Sequence, residues 1–292
     1  MSPTFFQIIL LGLVQGAAEL LPVSSSAHVI VAEKLMGLPP STPEMTFLLA
    51  MLHTGTMGAV ILYFWKSWRQ SFFANAETFR ATVIRVVVAT LVTGVVFLIL
   101  QKVAKKVLLH GRPDAPVEEL FSNLPLMAVS LAVAGGVIVL SGLKVAKAAD
   151  RAPAVASDVP LPQAAWIGFS QGVCLPFRGL SRSGVTISTG MLVGVPRRAA
   201  EEFSFALAVV LTPAVIGQEF LRLYKERAAS PVPFQLGALV GPGLLGMLAS
   251  FLAGLLALRW LSGWLEHGRW HYFGFYCFAA AAGIAFLASR GY

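Results

Sequence analysis

Apolar residues in this chain come in long unbroken blocks, with the polar residues gathered between them rather than alternating through them. Blocks at 45–65, 81–100, 124–143 and 234–258 are long enough to cross a hydrocarbon core as helices, which takes about 20 residues. Two less regular stretches, 203–218 (interrupted by Pro213) and 272–288 (short, rich in Phe and Ala), bring the expected spans to six. The segment 144–163 is polar and rich in Pro and Ala, which predicts an exposed linker between two halves.

Two further apolar regions do not read as spans. Residues 5–36 are interrupted by "ELLPVSSSAH" at 19–28, and residues 164–195 by "LPFRGLSRSG" at 175–184. Each leaves two short apolar pieces around a Pro- or Gly-containing break. Such pieces suit a re-entrant pair of half-helices better than a crossing.

The broken regions also resemble each other. "QGAAELLPVSSSAH" starts at Gln15 and "QGVCLPFRGLSRSG" at Gln171, and both place a serine, Ser25 or Ser181, ten residues later. Downstream, "LMGLP" (35–39) matches "LVGVP" (192–196) and Glu44 matches Glu201, at nearly the same offset of 156 to 157 residues. The chain therefore reads as two copies of one unit, a re-entrant pair followed by three spans: 1–143 and 164–292. Three spans is an odd number, so the second copy enters from the opposite side. The expected fold is an all-α polytopic membrane protein of two inverted-topology repeats, with the broken helices meeting near the bilayer midplane.

Composition agrees. The chain is 57% hydrophobic and 12% charged, with a mean hydropathy of +0.75, whereas soluble domains carry about 25% charged residues. The net charge of +8 comes from Lys and Arg scattered between apolar runs, with no basic cluster, so no nucleic-acid partner is expected. These residues divide evenly between the two sets of loops, and charge bias does not orient the chain. Cys174 and Cys277 have neither disulfide nor metal-site spacing. No basic residue precedes the first apolar run, so a cleaved signal peptide is not expected.

The breaks carry the chemistry. Arg182 and Arg178, with Ser181, Ser183 and Thr186 as hydroxyl donors, suit a phosphate at a half-helix N-terminus. In the first break, Glu19 is costly inside an apolar run. It is read as a divalent-cation ligand, a proton carrier or the partner of an Arg. His28 suits general acid or base work, and Ser24, Ser25 and Ser26 offer a nucleophile or further donors. Helix capping is the structural alternative for the serines, and a hydrogen-bonded interior role for His28. His53, Arg85 and His110 lack such company and read as structural or interfacial. A transporter with the same architecture and anion site is the rival from another class.

The set is similar to the bacterial undecaprenyl-diphosphate phosphatases of the bacitracin-resistance type. That family is marked by Glu/Gln-x-x-x-Glu running into Pro-Val-Ser-Ser-x-x-His, and by Pro-Gly-x-Ser-Arg-Ser-x-x-Thr. Here the first is Gln15 to Glu19 followed by "PVSSSAH" ending at His28, and the second is "RGLSRSGVT" at 178–186. The resemblance runs on through "EEFSF" (201–205). Gln15 takes the Gln option, and Arg178 stands where the family has Pro. The resemblance implies removal of the terminal phosphate of undecaprenyl diphosphate, which recycles the carrier lipid for peptidoglycan synthesis and confers bacitracin resistance. It also implies a divalent cation, Mg²⁺ or Ca²⁺, bound together with the diphosphate, and a site open to the outer face of the cytoplasmic membrane. Membrane lipid is the surrounding partner, and a homodimer is carried as an expectation. By matching position, Glu19 with Gln15 would hold the metal and Arg182 the diphosphate. Arg178, Ser24, Ser26, Ser181, Ser183 and Thr186 would give further contacts. Ser25 with His28 would perform the displacement, a His28-assisted water being the rival nucleophile. Acid-phosphatase-like lipid phosphatases, by contrast, would need a second histidine where this chain has Ser188.

Overall fold

A computed structural model describes residues 3–39, 42–108, 123–146, 159–228 and 236–291. His110, most of the expected linker, 147–158, and the first two residues of the expected span 234–258 lie outside the described residues.

The first break follows from local chemistry. Helix α1 (Phe5–Leu20) opens on a capping box, in which the Thr4 side chain accepts from the Gln7 amide and the Gln7 side chain accepts from the Thr4 amide. It stops before Pro22, and the chain restarts as α2 (Ser25–Leu35). The turn passes through Ser24 at φ +69°, a left-handed conformation unusual for a residue with a Cβ. The second break repeats the design: α6 (Leu161–Cys174), a turn through Gly179 at φ +113°, then α7 (Arg182–Leu192). Between and after these pairs run α3 (Pro43–Ser71), α4 (Ala76–Leu108), α5 (Leu124–Ala146), α8 (Arg197–Ala228), α9 (Leu236–Glu266) and α10 (His271–Ser289). The described residues contain no strand.

Five of these helices, α3, α4, α5, α9 and α10, are long and apolar enough to cross a membrane. The expected span 203–218 lies inside α8, where Arg197, Arg198, Glu201 and Glu202 precede the apolar stretch. Several helices extend past the expected blocks, α4 to Leu108 and α3 to Ser71. Their apolar faces point outward: Leu91, Val95 and Leu98 of α4, and Leu244, Leu248, Leu252 and Leu256 of α9, are all exposed. Contiguous apolar surface of this extent is hidden only by lipid, and the chain is a multi-pass membrane protein.

Packing follows a matched pattern. Helix α1 packs on α9, and α6 on α4. Both seams are made by glycines one turn apart, Gly12 and Gly16 in the first and Gly168 and Gly172 in the second, at the 156-residue offset of the motifs. A Cβ on Gly16 would lie 2.4 Å from the Ser250 carbonyl oxygen, and one on Gly168 would lie 2.3 Å from that of Ala89. Close backbone approach through small residues is how helices associate where lipid removes the hydrophobic drive. At one end of the bundle a polar clasp ties α8 to its neighbours. Glu202 Oε1 accepts from Ser67 of α3 (2.7 Å) and from Arg198 (2.9 Å), while Ser262 of α9 donates to Glu201 (2.5 Å).

Candidate active site

The two breaks meet tip to tip. Ser183 donates to the Leu21 carbonyl at 3.3 Å, and Gly184 faces Pro22 so closely that a Cβ there would lie 3.0 Å from the Pro22 ring. Cys277 of α10 holds the first tip from behind, its S–H donating to the Pro22 carbonyl at 3.3 Å. Arg182, the first residue of α7, thereby reaches Glu19 at the end of α1, and its guanidinium bonds Glu19 Oε1. The other carboxylate oxygen, Oε2, accepts from Ser25 Oγ at 2.5 Å and from Gln15 Nε2 at 3.2 Å.

The serines at matching positions have diverged. Ser181 is spent locally, capping α7 by accepting from the Gly184 amide at 3.2 Å. None of the first three serines caps α2: the N-cap residue, Ser24, makes no side-chain cap bond, and its buried Oγ has no hydrogen-bond partner. Ser25 is instead turned to Glu19. Leu175 occupies the position in the second break that matches Glu19 in the first, so the first break brings the carboxylate and the second the arginine.

These groups open on a small pocket walled by four helices. Glu19, His53, Thr56, Arg182 and Thr212 form its polar lining, and Met57, Val60, Phe205 and Val209 its apolar side. Thr56 and Thr212 donate to carbonyls of their own helices, those of His53 (2.9 Å) and Ala208 (2.7 Å), so their oxygen lone pairs stay available. The apolar side of the pocket belongs to α3 and α8.

Not every candidate lies here. His28 is on α2, but no hydrogen bond joins it to Ser25. Its Nδ1 contacts the Ser24 carbonyl at 2.8 Å, and because a carbonyl only accepts, Nδ1 carries the hydrogen. Its Nε2 then accepts from the Tyr276 hydroxyl of α10 at 2.8 Å, with the two rings stacked 5.7 Å apart. The charge of Arg178 acts on Glu33, a buried carboxylate with no hydrogen-bond partner on either oxygen. Thr186 donates to the Arg182 carbonyl at 2.8 Å, which ties α7 to its own first turn, and Ser26 is half-buried at the start of α2.

Two residues enter that sequence reasoning missed. His53 was read as structural, yet α3 brings its Nε2 to 3.8 Å from Glu19 Oε2. An ionisable residue inside an apolar block was the available signal. Tyr276 gave none, being an aromatic among aromatics in α10. Ser188, where a lipid phosphatase of the other type would carry histidine, is fully buried. It accepts from Trp270 Nε1 and from Ser141, each at 2.9 Å.

The chain is similar to known proteins along nearly its whole length. The family model described as bacitracin resistance protein BacA matches residues 8–283. A protein of Acinetobacter baylyi named undecaprenyl-diphosphatase 2 is 54% identical over 283 residues, covering 96% of this chain and 97% of the relative. Undecaprenyl-diphosphatases of Thermus thermophilus and a Polaromonas species are 32% and 33% identical, covering 98% and 96% of this chain and 98% and 93% of theirs.

Proposed function

The chain belongs to the bacitracin resistance protein BacA family, and on that premise we propose that it is an undecaprenyl-diphosphatase. It hydrolyses the terminal phosphate of the C55 prenyl diphosphate and so returns the carrier lipid to peptidoglycan synthesis. The observation that carries this reading is the meeting of Glu19, Ser25 and Arg182, from two distant breaks, over one small polar pocket with an apolar wall. The headgroup occupies the polar end, and the prenyl chain runs out along α3 and α8 into lipid.

Arg182 is the diphosphate clamp. It rests on Glu19 and needs only to swing to the entering phosphate, where a planar fork is matched to the oxygens. Ser25 Oγ attacks the terminal phosphorus, and its proton passes to Glu19 Oε2, the base it already touches at 2.5 Å. The new bond is Ser25 Oγ to phosphorus, the bridging P–O bond breaks, and the prenyl monophosphate leaves with the electron pair. Water then attacks the phosphoserine, releasing inorganic phosphate and restoring the hydroxyl. To protonate a leaving oxygen, His28 must first release the Tyr276 hydroxyl and take up a proton at Nε2. Positioning and charge stabilisation are what phosphoryl transfer chiefly requires.

A divalent cation fits this donor set. Glu19 Oε2, Ser25 Oγ and the Gln15 amide, once turned over, bring oxygens to one point. Among the described residues no three His, Cys, Asp or Glu converge, which suits a hard cation that completes its shell with substrate phosphates and water. Glu19 and Gln15 would hold it, and it would neutralise charge on the diphosphate. The protein acts in the cytoplasmic membrane with the pocket toward the outer face. The carrier alternative has no observation in its favour, since a hydroxyl held on a carboxylate serves attack rather than transit.

The test is phosphate release from a C15 or C55 prenyl diphosphate by purified protein, with and without EDTA. Release that stops with EDTA and in Arg182→Ala is the expected result. No release from either substrate by well-folded protein overturns the reading.

A further inference from the structure

Two polar groups of the pocket have no part in the reaction above. Glu19 and Arg182 are bonded to each other, and His53 is turned to Glu19. That leaves Thr56 of α3 and Thr212 of α8. They stand on two sides of one seam. Phe47 meets Phe220 edge to face at 5.7 Å, and Phe64 stacks on Phe205 at 5.5 Å. These two contacts fix the antiparallel register of α3 on α8. In that register Thr56 lies opposite Thr212, near the middle of the stretch between the aromatic pairs.

Each threonine has its hydrogen engaged. Thr56 donates to the His53 carbonyl at 2.9 Å and Thr212 to the Ala208 carbonyl at 2.7 Å. Hydroxyls in this state offer their neighbours only lone pairs. A phosphate oxygen, itself an acceptor, gains nothing from such a group. A water gains an orientation. By donating one hydrogen to each threonine, it keeps its own lone pair for a third partner, as a nucleophile must.

We propose that Thr56 and Thr212 hold the water that attacks the phosphoserine. This water acts in the second step of the reaction proposed above, so its role rests on Ser25 being the nucleophile of the first. The bond from the water oxygen to phosphorus forms, and the Ser25 Oγ–phosphorus bond breaks with its electron pair staying on Oγ. The proton that Ser25 gave up in the first step returns to it. Both hydrogens of the water leave on inorganic phosphate, as the dihydrogen anion. Met57, Val60, Phe205 and Val209 surround the threonines with apolar surface, so few other groups compete for the hydrogens of the water. Holding it replaces a chance encounter by an oriented one. Transfer to Ser25 is thus the work of the two tips, and hydrolysis draws on α3 and α8 behind them.

Thr56→Val and Thr212→Val keep the side-chain shape and remove the oxygen. Purified full-length variants are mixed with C15 prenyl diphosphate carrying ³²P in the terminal phosphate. Release of prenyl monophosphate, release of phosphate and label retained on acid-quenched protein are followed together. Each valine variant should slow steady-state phosphate release at least about tenfold, and show a burst of prenyl monophosphate equal to the enzyme present. Label should stay on the protein and be absent in Ser25→Ala. Because only the second step is slowed, kcat and KM should fall together, leaving kcat/KM within about twofold of the wild type. Thr56→Ser and Thr212→Ser return the oxygen and should restore release to within about threefold. Where a valine variant fails to fold, alanine at the same position is read in its place. Release at the wild-type rate in both variants, or slow release with a raised KM and no retained label, overturns the assignment and leaves the diphosphatase reading in place. Undiminished turnover in Ser25→Ala, or no release by the wild type, overturns the Ser25 reading and this inference with it.

Discussion

Gly184→Ala tests whether contact between the two tips builds the site. A Cβ at this position would lie 2.7 Å from Ile138 Cδ1, 3.0 Å from the Pro22 Cβ and 3.0 Å from Ser181 Oγ. Ile138 is fully buried and has nowhere to retreat, the proline ring is rigid, and Ser181 is capping α7 through the Gly184 amide itself. Overpacking of this kind costs about 1–3 kcal/mol, and loosening the cap adds about 1 kcal/mol. The larger consequence is geometric. Relief comes by pushing the tips apart, which draws Arg182 away from Glu19. Displacement of about 1 Å at a reacting centre costs on the order of 10²-fold, so a shift of half that lowers turnover on the order of tenfold. Gly94→Ala is the matched control, because nothing lies within 4 Å of its added methyl and the helix there is regular. It should be neutral or gain a few tenths of a kcal/mol, since Ala is the better helix former, by up to ~1 kcal/mol. Both variants are followed by tryptophan fluorescence on heating and by phosphate release at 25 °C. A Gly184→Ala protein that melts with the wild type and turns over within about twofold of it would show that tip apposition does not set the site.

Ser25→Ala should lower phosphate release on the order of a thousandfold, while Glu19→Gln should match it and also lower the melting temperature, because Arg182 is left without its partner; an alanine variant with near wild-type release would return the attack to water. Tyr276→Phe removes one donor to His28, worth about 1 kcal/mol, and should slow turnover about fivefold without changing the melting point. Glu202→Ala breaks the clasp of Ser67 and Arg198, and should cost about 2–4 kcal/mol in thermal stability with kcat preserved below the transition. EDTA should abolish release reversibly, with re-addition of Mg²⁺ or Ca²⁺ restoring it.

Much of the site was legible because its chemistry is conspicuous against lipid. A carboxylate, a proline and three serines in an apolar run mark a break whatever lies around it, and the second break carries the one arginine embedded among hydroxyls. The glycine pair at the same spacing in each broken region serves one seam in each, α1 on α9 and α6 on α4. What sequence did not show was distance. His53 lies 34 residues from Glu19 and Tyr276 lies 248 from His28, and only the packing of α3 and α10 brings either to its partner. Side-chain direction was equally hidden: Ser25 and His28 are one turn apart on α2, yet the first bonds Glu19 and the second Tyr276. Helix ends were misplaced for a simple reason. Hydropathy falls where charges begin, whereas backbone hydrogen bonding carries α4 on through Lys102, Lys105 and Lys106.

The crossed seams have a consequence for how the molecule is made. Helix α1 leaves the ribosome first but packs on α9, and Glu19 is translated 163 residues ahead of Arg182. At roughly 5–20 residues per second the carboxylate waits on the order of 10–30 s for its counter-charge. During that interval neither the glycine seam of α1 nor the counter-charge of Glu19 has a partner to close on. Closure of both therefore waits for helices translated much later.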